Sequence, residues 1–538
     1  MIARTLGILG LLAAAALAQE AKDSTPRLAQ VALFKNGLAM IVTEVDVPDS
    51  AEWVRVRPLP APMHGTFWVT SSTDNLAMGE VIATKDEVEE QVDAMTVTEM
   101  LLANVGRDVI ITVDTDQYSG KLLSVPQDPV ADPPADRFAS PLPARANLVL
   151  VQTPSGVVAL DRASVKRIAF DSRDGAPAVK WSRKRQGASL LLHVKNAQAG
   201  AKVAVSWLER GLSWAPTYRM DVSKDDEGSM EATATIVNDL LDLSDTPVSL
   251  ISGFPNLAFN GVTSPLALGG GFDAFAQEVA SAANGGMRRE SVMTQQAIMS
   301  NSYSPEVEIR AGATEAMPGQ AEEDLYFYDL GKVTLKRGQR ASMPLFTAKT
   351  PYKHVYRWEI PDYVNQYDQY AYGNQQKEEP EVVWHSLRMV NPLSMPWTTA
   401  PTLVTKDGRP LGQDTCFYTA PRAQTLVKVT KALSIHAEQR EFETRRERDA
   451  ERWGGYVYDK ITIKGELSLK NFKDEKVEVE ISKELSGTMK ACDPKGDVEI
   501  LARGLRRLNP TNRLTWCVPV EQGKETKLTY EYEVLVRQ

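Results

Sequence analysis

Lys527-Leu528-Thr529-Tyr530-Glu531-Tyr532-Glu533-Val534 alternates apolar and polar residues without a break. As a strand it turns Leu528, Tyr530, Tyr532 and Val534 to one face and Lys, Thr and Glu to the other, the pattern of a sheet packed on one side and solvated on the other. Working back, Leu514-Thr515-Trp516, Val477-Glu478-Val479-Glu480-Ile481, Leu467-Ser468-Leu469 and Lys460-Ile461-Thr462-Ile463-Lys464 repeat the pattern. Before them, Arg440 to Arg452 sets five Arg against five acidic residues. With no dominant sign, that stretch reads as a solvated ribbon or bridging surface and not as a polyanion site.

Strands continue upstream at Thr425 to Lys431, Thr402 to Lys406, Glu381 to Asn391, Lys353 to Ile360, Ala341 to Phe346, Val333 to Leu335 and Leu325 to Tyr328, and again from Val248 to Gly253 back to Lys202 to Trp207. Val262 to Glu323 interrupts them with Gly269-Gly270-Gly271, Gly285-Gly286 and no sustained hydrophobic period, so it reads as a flexible excursion. Within it, Phe272 to Ala283 has the composition of one amphipathic helix. Nearer the N-terminus, Asn36-Gly37 between apolar runs marks a hairpin, and Thr96 to Asn104 reads as a short helix capped by Thr96 or Thr98. Five short strands between Val109 and Ile168 follow, the pattern of a small curled barrel. The predicted fold is mainly β, with a small N-terminal β domain over 29–90, a helix plus small SH3-like barrel over 95–172, and a large C-terminal antiparallel β-sandwich region over 189–538 carrying a flexible, low-complexity insertion at 262–323.

Met1 to Gln19 places Arg4 ahead of the apolar run Leu6 to Leu17 and ends in Ala16-Leu17-Ala18, which reads as a signal peptide over 1–18. The expected location is therefore periplasmic or extracellular, with no integral membrane segment after signal cleavage, because no later run is long and apolar enough to span a bilayer. Acidic residues outnumber basic ones by 70 to 61, a net charge of −9, which gives no support to nucleic-acid binding. In an oxidising compartment Cys492 and Cys517 are a candidate disulfide that leaves Cys416 over; three buried thiols are the other reading.

Catalytic and cofactor signals are sparse. His64, His193, His354, His385 and His436 share no ligand spacing, and Glu322-Glu323-Asp324 and Asp225-Asp226-Glu227 lack the pattern of a calcium loop. Gly269-Gly270-Gly271 is not followed by a phosphate-cradling Gly-Lys-Ser/Thr, so no cofactor is expected. Ser155 and Ser252 read as turn and strand-end residues. The strongest binding signal is aromatic: Trp358, Tyr363, Tyr367, Tyr370 and Tyr372, interleaved with Asn and Gln, suit a loop that holds a protein or stacks on a sugar, or a decorated hairpin tip.

Three stretches resemble the mucoidy-inhibitor-like family of exported proteins, whose C-terminal β domain has no assigned function. Trp207-Leu208-Glu209-Arg210-Gly211-Leu212-Ser213-Trp214-Ala215-Pro216-Thr217-Tyr218 is similar to the family's Trp-x-Pro-x-Tyr strand. Ala232 to Val237 followed by Val248 to Pro255 is similar to its paired strands, and Trp516 to Val534 to its closing hairpin, with Leu33 to Gly37 as the N-terminal counterpart. The resemblance implies export and β architecture, with Trp207, Trp214, Pro216 and Tyr218 as packing and turn residues. Two departures stand out: a short helix and small barrel replace the family's coiled coil, and Asn238-Asp239-Leu240-Leu241-Asp242-Leu243 replaces its Thr-Gly-Glu-Asp-Trp-like turn. The functional expectation is a noncatalytic envelope protein that acts by contact with an envelope protein or cell-surface polymer. The alternative is an extracytoplasmic glycoside or ester hydrolase whose carboxylates or nucleophile are gathered from distant strands.

Overall fold

The computed structural model describes residues 21–537 except 74–75, 127–147, 171–174, 199, 254, 284–318, 323–324, 363–381 and 504–507. The chain is mainly β and divides into two compact units. Unit 1 comprises Met1–Leu28, Val42–Trp207 and Phe259–Ala280; unit 2 comprises Ala29–Ile41, Leu208–Ala258 and Ser281–Gln538. Each unit thus draws on three separate segments, so the sequential boundaries expected at 29–90 and 189–538 do not coincide with the compact bodies.

In unit 1, Ala77–Asp93 and Lys180–Lys195 pair antiparallel along nearly their whole length, from Lys180↔Asp93 to Lys195↔Ala77. Arg183, Lys184 and Arg185 face Glu89 and Glu90 across this ribbon at 3.3 to 4.0 Å. Such solvated pairs contribute at most about 1 kcal/mol each, so they orient the ribbon more than they stabilise it. At its end Val97–Ala103 forms the expected helix: Thr96 Oγ1 accepts from Glu99 N–H at 3.2 Å, and Glu99 Oε2 accepts from Met95 N–H at 2.8 Å. These two bonds satisfy orphan amides at the helix start and choose Thr96 over Thr98 as cap.

The helix covers a five-stranded sheet in the order Gly156–Asp161, Leu148–Thr153, Asp116–Ser124, Asp108–Val113, Val165–Phe170, around Leu101, Val109, Ile111, Leu122, Val149 and Val151. Among the described residues the two outer strands are not paired, so the predicted barrel is an open, curled sheet. Gly120 permits the curl: a Cβ there would lie 2.0 Å from the Gln152 carbonyl oxygen.

Part of the predicted flexible insertion is ordered in unit 1. Met63 bridges to Thr263, His64 N–H donates to the Val262 carbonyl at 2.8 Å, and Phe272–Ala283 is a helix. Phe275 and Glu278 lie one turn apart on that helix, so Phe275 meets the His64 ring edge-on while Glu278 accepts from Thr263 N–H at 3.3 Å. Residues 284–318 of the excursion lie outside the described ones.

Unit 2 is built on the 21-residue strand Arg340–Ile360. Its first part pairs antiparallel with Glu227–Asn238; its last part pairs antiparallel with Val383–Val390 and parallel with Val477–Ser486, Ile360 standing opposite Lys483. The large sheet so formed runs Arg409–Cys416, Ala400–Lys406, Leu212–Asp221, Glu227–Asn238, Arg340–Ile360, Val477–Ser486, Thr511–Val520, Asp497–Ala502. It is mixed, because Leu212–Asp221 also pairs parallel with Ala400–Lys406. Against its second half lies an antiparallel four-stranded sheet, Ile435–Trp453, Tyr456–Asn471, Glu525–Arg537, Thr488–Asp493. Trp358, Val479, Ile481, Leu514 and Trp516 from one sheet and Leu467, Leu469, Leu528, Tyr530, Tyr532 and Val534 from the other form the sandwich core.

Two expectations from the family resemblance change here. Ala232–Val237 and Val248–Pro255 are not partners: the former pairs with Leu212–Asp221 and Arg340–Ile360, whereas Val248–Ile251 runs parallel to Val31–Phe34. Trp516–Val534 is not a paired hairpin, because Thr511–Val520 belongs to the large sheet and Glu525–Arg537 to the small one. Both strands have an apolar face to bury, and crossing between sheets lets both enter the same core.

Gly465 sits opposite Tyr530, and a Cβ there would fall 2.0 Å from the Tyr530 ring. Gly465→Ala therefore has to displace a fully buried ring, and the expected cost is about 1–3 kcal/mol, read as a lower urea midpoint with an unchanged slope.

Candidate functional site

The Trp-x-Pro-x-Tyr stretch lies in unit 2 on strand Leu212–Asp221, with Trp214, Pro216 and Tyr218 all on its buried face. Trp214 Nε1 donates to the Ile251 carbonyl at 3.1 Å, and Tyr218 Oη to the Thr398 carbonyl at 2.9 Å. The same strap accepts from Tyr328 Oη at Pro396 (2.8 Å) and from Lys35 Nζ at Thr399 (2.7 Å). Burial pushes the Lys35 ammonium down to about 8. Ser252 is buried opposite Tyr326, and the Lys35 amine is held by Thr398 and Thr399. These side chains anchor a buried segment, and Trp207 is buried as well.

Trp358, expected on an interaction surface, is instead fully buried in the sandwich core because even-numbered positions at this end of its strand face inward. Tyr363, Tyr367, Tyr370 and Tyr372 lie outside the described residues. Cys492 and Cys517 are free thiols: Cys492 accepts from Gly496 N–H on the small sheet, while Cys517 points outward from the large one. Cys416 is the buried thiol, pushed up to about 12 by desolvation.

The fold does gather two histidines that no sequence spacing connects. His354 and His385 sit on the paired strands Arg340–Ile360 and Val383–Val390, with His354 Nδ1 and His385 Nε2 2.8 Å apart. Tyr356 stacks on His385 at 5.1 Å, Tyr352 meets His354 edge-on at 5.4 Å, and Lys473 Nζ lies 4.9 Å from the Tyr356 ring centre. Burial lowers both imidazoles, His385 to about 4; Lys406 and Lys473 add to the lowering at His354 while Asp225 and Asp226 oppose it. Among the described residues no third His, Cys, Asp or Glu joins the pair in a metal-binding group.

A second polar cluster closes one end of the sandwich. Lys483, 1% exposed, donates from Nζ to the Pro361 carbonyl at 3.0 Å and lies 3.6 Å from Glu441 Oε1. Glu441 accepts from Tyr530 Oη at 2.6 Å, and Tyr530 Oη accepts from Gln439 Nε2 at 3.0 Å. Burial lowers the lysine and raises the Tyr530 phenol, so the groups sit as a hydrogen-bonded plug within the core.

An exposed arrangement of binding-type residues stands at the tip of the ribbon formed by Ile435–Trp453 and Tyr456–Asn471. Gly454 and Gly455 take φ of 59° and 85°, which glycines adopt without strain in a two-residue hairpin turn. The turn sets Trp453 opposite Tyr456, 40% and 48% exposed, and the Arg537 guanidinium lies 3.6 Å from the Tyr456 ring centre. The sequence signal was present in Trp453-Gly454-Gly455-Tyr456, but alternation alone does not say how far a hairpin projects.

No family model matches the chain, and no curated protein matches it.

The histidine pair sets a pH dependence. His385 titrates near 6.5 in the unfolded chain and near 4 in the fold, so the unfolded state binds the proton first. Its stability contribution is complete above 6.5 and is lost as pH falls towards 4. His385→Gln should flatten the rise of melting temperature over that interval relative to the wild type, as measured by thermal melts across a pH series.

Proposed function

We propose that this is an exported envelope protein that works by binding a protein partner, and that the tip of the charged ribbon is its contact. The observation that carries this reading is the company of Trp453, Tyr456 and Arg537 at an exposed turn. Trp, Tyr and Arg are the residue types that dominate interface hot spots, because each offers a large apolar face with a polar handle. The strand leading to the tip, from Thr444 onward, is largely solvent-exposed and carries both charge signs, which suits a partner with an equally mixed rim. Met1 to Gln19 supports export, and the resemblance to mucoidy-inhibitor-like proteins supports an envelope setting.

The test is a pull-down from envelope extract using the wild type, Trp453→Ser/Tyr456→Ser, and a variant with Tyr367, Tyr370 and Tyr372 changed to Ser. Loss of a specific protein in the tip variant, with unchanged thermal melting, is the expected result, equivalent to about 2 kcal/mol or more of binding. Full retention by the tip variant overturns the assignment, and loss in the triple tyrosine variant alone moves the contact to residues 363–381. Capture of a cell-surface polymer in place of a protein would overturn the partner class.

A further inference from the structure

At the other end of the same ribbon three turns of unit 2 come together. Phe472 N–H donates to the Ser434 carbonyl at 2.8 Å, and Asn471 exchanges backbone bonds with Gly523 and Lys524 at 2.8 and 3.3 Å. This brings Leu433, 90% exposed, near Phe472, 58% exposed, both in turns with backbone N–H groups bonded, Leu433 to Lys431 and Phe472 to Ser434. Neighbouring Leu and Phe side chains projecting from ordered turns expose apolar area that folding had every means to bury, since the core begins at Ala432 and Ile435 immediately beside them.

Lysines rim the wedge. Lys470 Nζ lies 5.0 Å from the Phe472 ring centre, Lys473 lies over Tyr356, and Lys524 supplies the adjoining turn. Across 431–435, 470–476 and 521–527 there are six lysines against four carboxylates; Lys476 pairs with Glu521 at 3.2 Å and Lys527 with Glu525 at 3.5 Å, which leaves Lys431, Lys470, Lys473 and Lys524 against Asp474 and Glu475. A chain of net charge −9 therefore presents a locally positive end exactly where its apolar side chains protrude.

We propose that this turn cluster docks on an anionic lipid surface, Leu433 and Phe472 entering the headgroup boundary while the rim lysines meet phosphate groups. Apolar insertion and electrostatic attraction add in such binding, and lysine stems lie along the apolar part with the ammonium kept in the polar layer. An anionic bilayer offers a broad negative field that complements a rim of lysines around an apolar wedge. The partner strand Tyr456–Asn471 spans 16 residues, so the ribbon tip stands roughly 50 Å from this end at about 3.3 Å per residue. The protein so docked would hold its aromatic tip away from the membrane. The lipid contact is independent of the ribbon-tip partner and goes beyond that reading.

The experiment is co-sedimentation of the full chain with phosphatidylcholine vesicles, with and without phosphatidylglycerol, for the wild type, Leu433→Ser/Phe472→Ser and Lys470→Glu/Lys473→Glu. The apolar N-terminal segment is common to all three proteins, so the differences between them report the turn cluster. Expected are binding to the phosphatidylglycerol vesicles that weakens with added salt, at least a tenfold loss in each variant, and unchanged thermal melting. The proposal is overturned if the wild type fails to sediment with anionic vesicles at low salt, if the Leu433→Ser/Phe472→Ser protein sediments like the wild type, or if neutral vesicles bind equally well.

Discussion

Strand Arg340–Ile360 has to satisfy partners of different direction along its length, and the architecture of unit 2 depends on it. Over its first half it is the antiparallel neighbour of Glu227–Asn238; over its second it takes Val383–Val390 antiparallel on one edge and Val477–Ser486 parallel on the other. Backbone amides and carbonyls buried without partners would cost several kcal/mol each, so a strand this long is stable only if both edges are occupied where it is covered. The register that results sets Trp358 and Ile360 into the sandwich core, sets His354 diagonally across from His385, and brings Pro361 to the Lys483 ammonium.

The buried polar groups follow from that frame. Lys35, Tyr218 and Tyr328 hold the 396–399 strap, and Lys483, Glu441, Tyr530 and Gln439 close one end of the sandwich. Each of these donors finds an acceptor within 3.0 Å, which is why an amine and several phenols remain in a β core at all. The buried polar groups named above are thereby engaged in holding chain segments together, while exposed aromatic and apolar side chains stand at both ends of one ribbon, Trp453 and Tyr456 at its tip and Leu433 and Phe472 at the other. The two proposals use these surfaces, partner contact at the aromatic tip and lipid contact at the lysine-rimmed turns.

The alternation in Lys527–Val534 and its repeats made the faces of the small sheet legible, since side chains in a strand must alternate whatever the tertiary context. Thr96-Val97-Thr98-Glu99 announced its helix because the capping bonds are local. Pairing was less accessible. Thr511–Val520 and Glu525–Arg537 are separated by a four-residue turn and look like a hairpin, but they belong to different sheets. Trp358 stood in an aromatic-rich stretch that suggested a surface, and only the sandwich shows that its position faces inward. The helix inside the 262–323 excursion owes its place to His64 and Thr263, contacts that no window around Phe275 contains.

By itself, then, the sequence determined the β character, the inward and outward residues of most strands and the place of the short helix that follows Thr96, because each of these is written within a few neighbouring residues. Tertiary structure alone decided which strands meet, which histidines touch, which cysteines stay apart and which apolar side chains are left in solvent. Those depend on pairing between residues tens to hundreds of positions apart, where the free energy of many alternative ladders differs little until the whole core is assembled.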